Sequence, residues 1–197
     1  MEIPTSDNEW DWDDLFNLFN AVEYLHRLAI VHGDIRPENI QVHEDFLHVK
    51  LTDFDVSRLE LPRATSRTVA KGYAALELLS SNEGASITQK TEIWALGVLL
   101  YICLCGFPPF SGDLKTEEFP YGMDEQIRQG RFNYPSPHWD SISGPALDLI
   151  DSMLVVNPEQ RFAIGQCLSY PWVLTGRLLN QDDEAGGVLS GIAGIDL

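Results

Sequence analysis

From Gln89 to Cys105 the chain is apolar on nearly every side of a helical wheel. A helix without a polar stripe must be enclosed by other elements, so this segment predicts a central buried helix around which the rest has to pack. It does not predict a membrane span. The longest apolar run, Ile93 to Phe107, is interrupted by glycine and stops at Pro108-Pro109, short of the roughly 20 residues that a bilayer requires.

The flanking pattern is mostly helical. Leu15, Phe16, Leu18, Phe19, Val22, Leu25 and Leu28 recur at helical spacing behind Asp13 or Asp14 as a cap, which predicts an amphipathic helix over residues 14–28. Weaker helical patterns appear at Asp124–Arg128, Ala146–Leu154 and Ile164–Leu168. Short strand-like runs lie at Ile40–Val42 and Phe46–Leu51, and residues 56–72, rich in Arg, Thr and Ser, read as an exposed loop. The expected fold class is therefore mainly α with a few short β-strands. Three regions are expected: an acidic N-terminal segment at 1–13, a folded body at 14–174 and a flexible tail at 175–197.

Charge and cysteine content narrow the partners. The formal net charge is −17, opposite to the clustered Lys and Arg that nucleic acid demands, so no nucleic-acid partner is expected. Glu2, Asp7, Glu9, Asp11, Asp13 and Asp14 form a block without a base, the pattern of a solvated end. Cys103, Cys105 and Cys167 suit neither a disulfide framework nor a zinc site. A reducing, intracellular setting, cytoplasm or nucleus, is the simpler expectation. The acidic N-terminus does not look like a targeting peptide.

The chemistry sits in His32-Gly33-Asp34-Ile35-Arg36-Pro37-Glu38-Asn39, directly after the first predicted helix. Asp53-Phe54-Asp55 follows at the end of a strand-like run. Phosphoryl transfer needs carboxylate and amide oxygens to hold Mg²⁺ and a base aimed at the incoming hydroxyl. Asp34, Asn39 and Asp53 would supply that set. Alone, the first segment also fits a polar turn with a capping Asp.

The ordered series of motifs is what adds weight. His32–Asn39 resembles the catalytic loop of eukaryotic-type Ser/Thr protein kinases, and Asp53-Phe54-Asp55 resembles their Asp-Phe-Gly. Ala75-Leu76-Glu77, Thr91–Val98, Gly106–Phe110 and Asn157–Phe162 are similar to later landmarks of the same family, in the same order. The resemblance covers about residues 14–174 and implies a kinase-like C-terminal lobe, with no counterpart of the N-terminal lobe upstream. By position it implies Asp34 as catalytic base, Arg36 at the transferring phosphate, and Asn39 and Asp53 as Mg²⁺ ligands beside ATP. Glu77 and Arg161 resemble a buried ion pair, and Glu92 takes the place of an aspartate that anchors the catalytic loop. Glu38 stands where some members meet a basic substrate residue; an ordinary exposed loop carboxylate fits it equally. Gly106–Phe110 and Ala146–Trp172 look like the calcium/calmodulin-dependent group, and Asp148–Pro158 is similar to checkpoint kinases.

Departures from the pattern point toward impaired catalysis. No Gly-rich loop, strand lysine or helix glutamate precedes the first helix. Gly33, Asp55, Gln41, Ala70 and Leu76 replace the family's arginine, glycine, apolar residue, threonine and proline. The expectations are thus a protein kinase relative acting on a protein substrate, with catalysis weak or absent in this chain alone, or a pseudokinase-like module that binds a protein partner. A truncated gene product is a further alternative.

Overall fold

The computed structural model describes residues 12–42, 49–59, 70–79, 86–116 and 119–175. The expected acidic segment, except for its last two residues, and almost all of the expected tail lie outside that set.

The central helix is α3, Gln89–Cys105, with the bounds that its composition predicts. Thr88 caps it: its Oγ1 accepts from the Thr91 N–H, while the Thr91 Oγ1 accepts from the Thr88 N–H. Every residue from Thr91 to Ile102 is buried. Gly97 lies where α3 meets α5 (Gly144–Met153); a Cβ there would come within 2.9 Å of both the Met153 Cβ and the Leu154 Cδ2. The small residue allows the close approach of the two helices.

The first helix, α1, spans Trp12–Arg27, two residues earlier than predicted at its start. Asp13 and Asp14 therefore lie in its first turn rather than at its cap. Leu15, Leu18, Phe19 and Val22 form its buried stripe, whereas Leu28 falls beyond the helix end and is exposed. α1 packs on α6 (Ile164–Leu168), and the remaining helices are α2 (Leu76–Leu79) and α4 (Met123–Gln129). Leu15, Phe19, Ile93, Leu96, Leu100, Leu149, Ile150 and Cys167 belong to one contiguous core. Its area removed from water is the main stabilising term.

Two small antiparallel ribbons place the loops. β1 (Ile30–Val31) pairs with β4 (Arg58–Leu59), and β2 (Ile40–Val42) pairs with β3 (Val49–Leu51). The register sets Ile30 opposite Leu59 and Ile40 opposite Leu51. The His32–Asn39 segment joins β1 to β2, and Asp53 lies between β3 and β4. Because each loop is flanked by strands that pair with the other's, the two loops are held side by side. The β1–β4 ribbon falls partly in the stretch expected to be only loop: two-residue strands carry no readable alternation.

Candidate active site

His32 organises the first loop. Its Nδ1 accepts the Asp34 backbone N–H at 3.3 Å, and its Nε2 lies 2.9 Å from the Thr52 carbonyl. A carbonyl only accepts, so this pattern places the ring proton on Nε2. The ring meets Phe54 edge-on at 4.7 Å between centroids. The Ser57 hydroxyl donates to the His32 carbonyl at 3.0 Å. Side chain and backbone of one buried histidine thus tie both loops together.

Asn39 fixes Asp34. Its Nδ2 donates to the Asp34 carbonyl and to the Asp34 Oδ2, both at 2.8 Å. Both amide hydrogens are used, and the Asn39 Oδ1 accepts no hydrogen bond among the described residues. The Asn39 carbonyl in turn accepts from the Thr52 N–H at 2.8 Å and the Thr52 Oγ1 at 3.1 Å. Asp53 follows next in the chain. Its backbone is left-handed, with φ 61° and ψ 64°, a conformation that costs a non-glycine residue about 1–3 kcal/mol. Its carboxylate is exposed and bonds to none of the described residues. Asp34 and Asn39 therefore form one bonded unit, with the backbone of Asp53 pinned beside it.

The loop is anchored from below by Glu92. Its Oε1 accepts the Gly33 N–H at 2.7 Å, and its Oε2 accepts from the His26 Nε2 at 2.8 Å. All three residues lie where α1, the loop and α3 meet. Gln89 on α3 adds a bond from its Nε2 to the His26 carbonyl at 2.9 Å. Gly33 has φ +90°, and a Cβ on it would stand 3.3 Å from the Val56 Cγ2 and carbonyl oxygen. A side chain at this position would therefore strain the loop, whatever charge it brought.

Arg36 and Glu38 lie on the outer face. The Arg36 Nε and Nη2 donate to the Glu38 Oε2 and Oε1 at 2.9 and 2.8 Å. The bond from Arg36 holds the Glu38 carboxyl below its ordinary range, and Glu38 raises Arg36 in return. Tyr73 lies near this pair; burial, with a smaller push from Glu38, raises its phenol to about 12. Gln41 is exposed on β2.

Glu77 and Arg161 sit away from these loops. The Arg161 Nη1 and Nη2 donate to the Glu77 Oε1 and Oε2 at 2.8 and 3.2 Å. Its remaining N–H groups reach the carbonyls of Lys90, Val155 and Val156. Its guanidinium lies 5.1 Å over the Trp94 ring, which stacks on Phe110. The Glu77 side chain is 28% exposed, so the pair is buried at the arginine end only.

A family-wide profile described as Protein kinase domain matches residues 12–173. The chain belongs to the protein kinase family. The serine/threonine-protein kinase DCLK1 of Rattus norvegicus is 41% identical to it over 162 residues, covering 81% of this chain. DCLK2 of Homo sapiens is 41% identical over 162 residues, also 81% of the chain. The DNA damage response protein kinase DUN1 of Saccharomyces cerevisiae is 35% identical over 175 residues, or 79% of the chain. The matched part makes up only 36%, 20% and 33% of these relatives.

Within this kinase domain, the loop motif drew attention to Asp34, Arg36, Asn39 and Asp53. It gave no sign of His26 or Thr52. The His26 contact to Glu92 bridges 66 positions, and no local spacing announces such a pair. Among the described residues no helix is long and apolar enough to cross a membrane.

Proposed function

We propose that this chain carries the substrate and metal side of an ATP-dependent Ser/Thr protein phosphotransfer site. The observation that carries this reading is the Asn39 amide, which grips the Asp34 carboxylate while its own oxygen accepts no hydrogen bond among the described residues. Asp34 would then accept the proton of a serine or threonine hydroxyl on a protein substrate. The Asn39 Oδ1 and the Asp53 carboxylate are hard oxygen donors suited to Mg²⁺, which typically shares its shell with water and nucleotide phosphates. When bound, ATP and Mg²⁺ supply a transferable phosphoryl group and neutralise its charge. Arg36 has five N–H groups; two are used on Glu38, and the other three, which bond to none of the described residues, could meet a phosphate.

We assign residues 14–174 a C-lobe-like body with little or no transfer of its own, a reading supported by Gly33, Asp55 and Leu76 standing where the resemblance expects arginine, glycine and proline. The resemblance favours the calcium/calmodulin-dependent group, and an intracellular location fits that assignment. A second reading, a pseudokinase-like module that binds a protein partner, is favoured by exposed Phe54, Leu59 and Tyr24, apolar groups at the surface.

The deciding experiment compares γ-phosphate transfer to a serine peptide by this chain, by a longer product that carries a Gly-rich loop and strand lysine ahead of α1, and by that product with Asp34→Asn. We expect transfer only from the longer wild-type product. Equal signal from Asp34→Asn would remove Asp34 as the base. Mg²⁺-dependent nucleotide binding by the 197-residue chain at about micromolar affinity, the tight end of enzyme substrate affinities, would overturn the inactive reading.

A further inference from the structure

Arg36 and Glu38 are separated by a single proline that opens the 3-10 turn Pro37–Asn39. Both oxygens of the Glu38 carboxylate face one edge of the Arg36 guanidinium, at 2.8 and 2.9 Å. This parallel fork is the geometry that an arginine from another chain would use to bind a glutamate. Here the arginine is two positions away, so the contact is intramolecular and needs no partner to be brought to it. The fork uses the Nε–Nη2 edge, and the Nη1 end of the guanidinium bonds to none of the described residues. Asp34 is bonded to Asn39 instead.

If a protein substrate crosses this loop, an exposed glutamate with no partner of its own would attract a lysine or arginine from it through a charge-assisted pair. We propose that Arg36 is the built-in occupant of Glu38, so that the surface next to Asp34 does not select a basic residue at this point. The inference rests on the protein-substrate reading above and names the class of substrate: peptides neutral or acidic where they cross Glu38. The net charge of −17 attracts any basic peptide at long range, but that attraction is largely screened beyond about 8 Å at physiological salt. The local choice is then set by the fork.

The test uses a set of neutral serine peptides in which one arginine is walked through successive positions, each matched by an uncharged citrulline peptide. Binding to the 197-residue chain is read by fluorescence anisotropy at about 0.15 M salt. Wild type should bind arginine and citrulline peptides within about threefold at every position, a difference under 1 kcal/mol. Arg36→Met should gain about a tenfold preference for arginine at one position. Arg36→Met with Glu38→Gln should lose it again. A wild-type preference of that size that disappears in Glu38→Gln would overturn the proposal, and so would a flat profile in Arg36→Met. If no peptide bound any of the proteins, the protein-substrate reading would fall, and the specificity with it. That outcome is told apart from a missing fork by the Arg36 Nε–H NMR resonance. It should shift in Glu38→Gln only if the fork forms in wild type.

Discussion

Two arginine–glutamate forks in this molecule make nearly the same bonds and do different work. Arg161 reaches Glu77 across 84 positions of sequence, is 1% exposed, and spends every N–H group on a carboxylate or carbonyl. Arg36 reaches Glu38 across two positions, with side chains 30% and 42% exposed, and bonds through its other N–H groups to none of the described residues. A charge taken out of water must be satisfied completely, so the inner fork is part of the architecture. The outer fork stays in contact with water and adds little to the stability of the fold. The difference lies in surroundings, because the chemical pair is the same.

The sharpest way to break this contrast is Arg161→Ala. It would take the guanidinium away from Glu77 and from the carbonyls of Lys90, Val155 and Val156 and remove the cation over Trp94. We expect a loss of about 3–5 kcal/mol in urea unfolding. Arg161→Lys should recover only part of it, since an ammonium cannot fill a five-donor site. An unchanged midpoint in Arg161→Ala would mean that the inner fork is no anchor.

Glu92 tests whether the His32–Asn39 loop depends on the buried frame. Glu92→Ala leaves the Gly33 N–H and the buried His26 Nε2 without their acceptor. Each stranded group should cost about 1–3 kcal/mol. Denaturant titration of Glu92→Ala and Glu92→Gln separates lost bonding from lost charge; a total below about 0.5 kcal/mol, the range of neutral surface changes, would detach the loop from α3. Gly33→Ala should cost less, about 1–3 kcal/mol from its φ of +90° and the close Val56 contacts. A neutral result there would show that the loop relaxes freely.

The inner and outer regions were also unequally legible. Gln89–Cys105 could be read because an apolar face all round has one solution in water. Ile164–Leu168 and Met123–Gln129 were found near their expected positions, since helical spacing is local information. Glu77 with Arg161 was legible only through family resemblance, as 84 intervening positions carry no periodic signal. The same limit hid His26 under Glu92. It hid the buried Gln126 as well, whose amide bridges the Ser111 backbone and the Tyr121 carbonyl. The left-handed backbone of Asp53 could not be foreseen either, because aspartate has no general need for that conformation. Motif spacing named the groups that could do chemistry, while long-range contacts hold them.

The smallest effect is the one that defines the outer fork. Glu38 ionises below its ordinary value of 4.5 because Arg36 donates to it. A carboxyl with a depressed folded-state pKa contributes stability above its unfolded value, and loses that contribution as pH falls through the folded value. The stability difference between wild type and Glu38→Gln should therefore be present near neutral pH and shrink below about pH 4.5. With both side chains in contact with water it should stay under about 1 kcal/mol, and salt should reduce it further. Thermal unfolding of the two proteins from pH 7 to pH 3, at low and high salt, measures this. A difference as large as that of Arg161→Ala, or one that persists unchanged in acid, would show that Arg36 and Glu38 are a second structural anchor. A small, acid-labile and salt-labile difference would leave the fork as a contact that a bound peptide or phosphate can rearrange at little energetic cost.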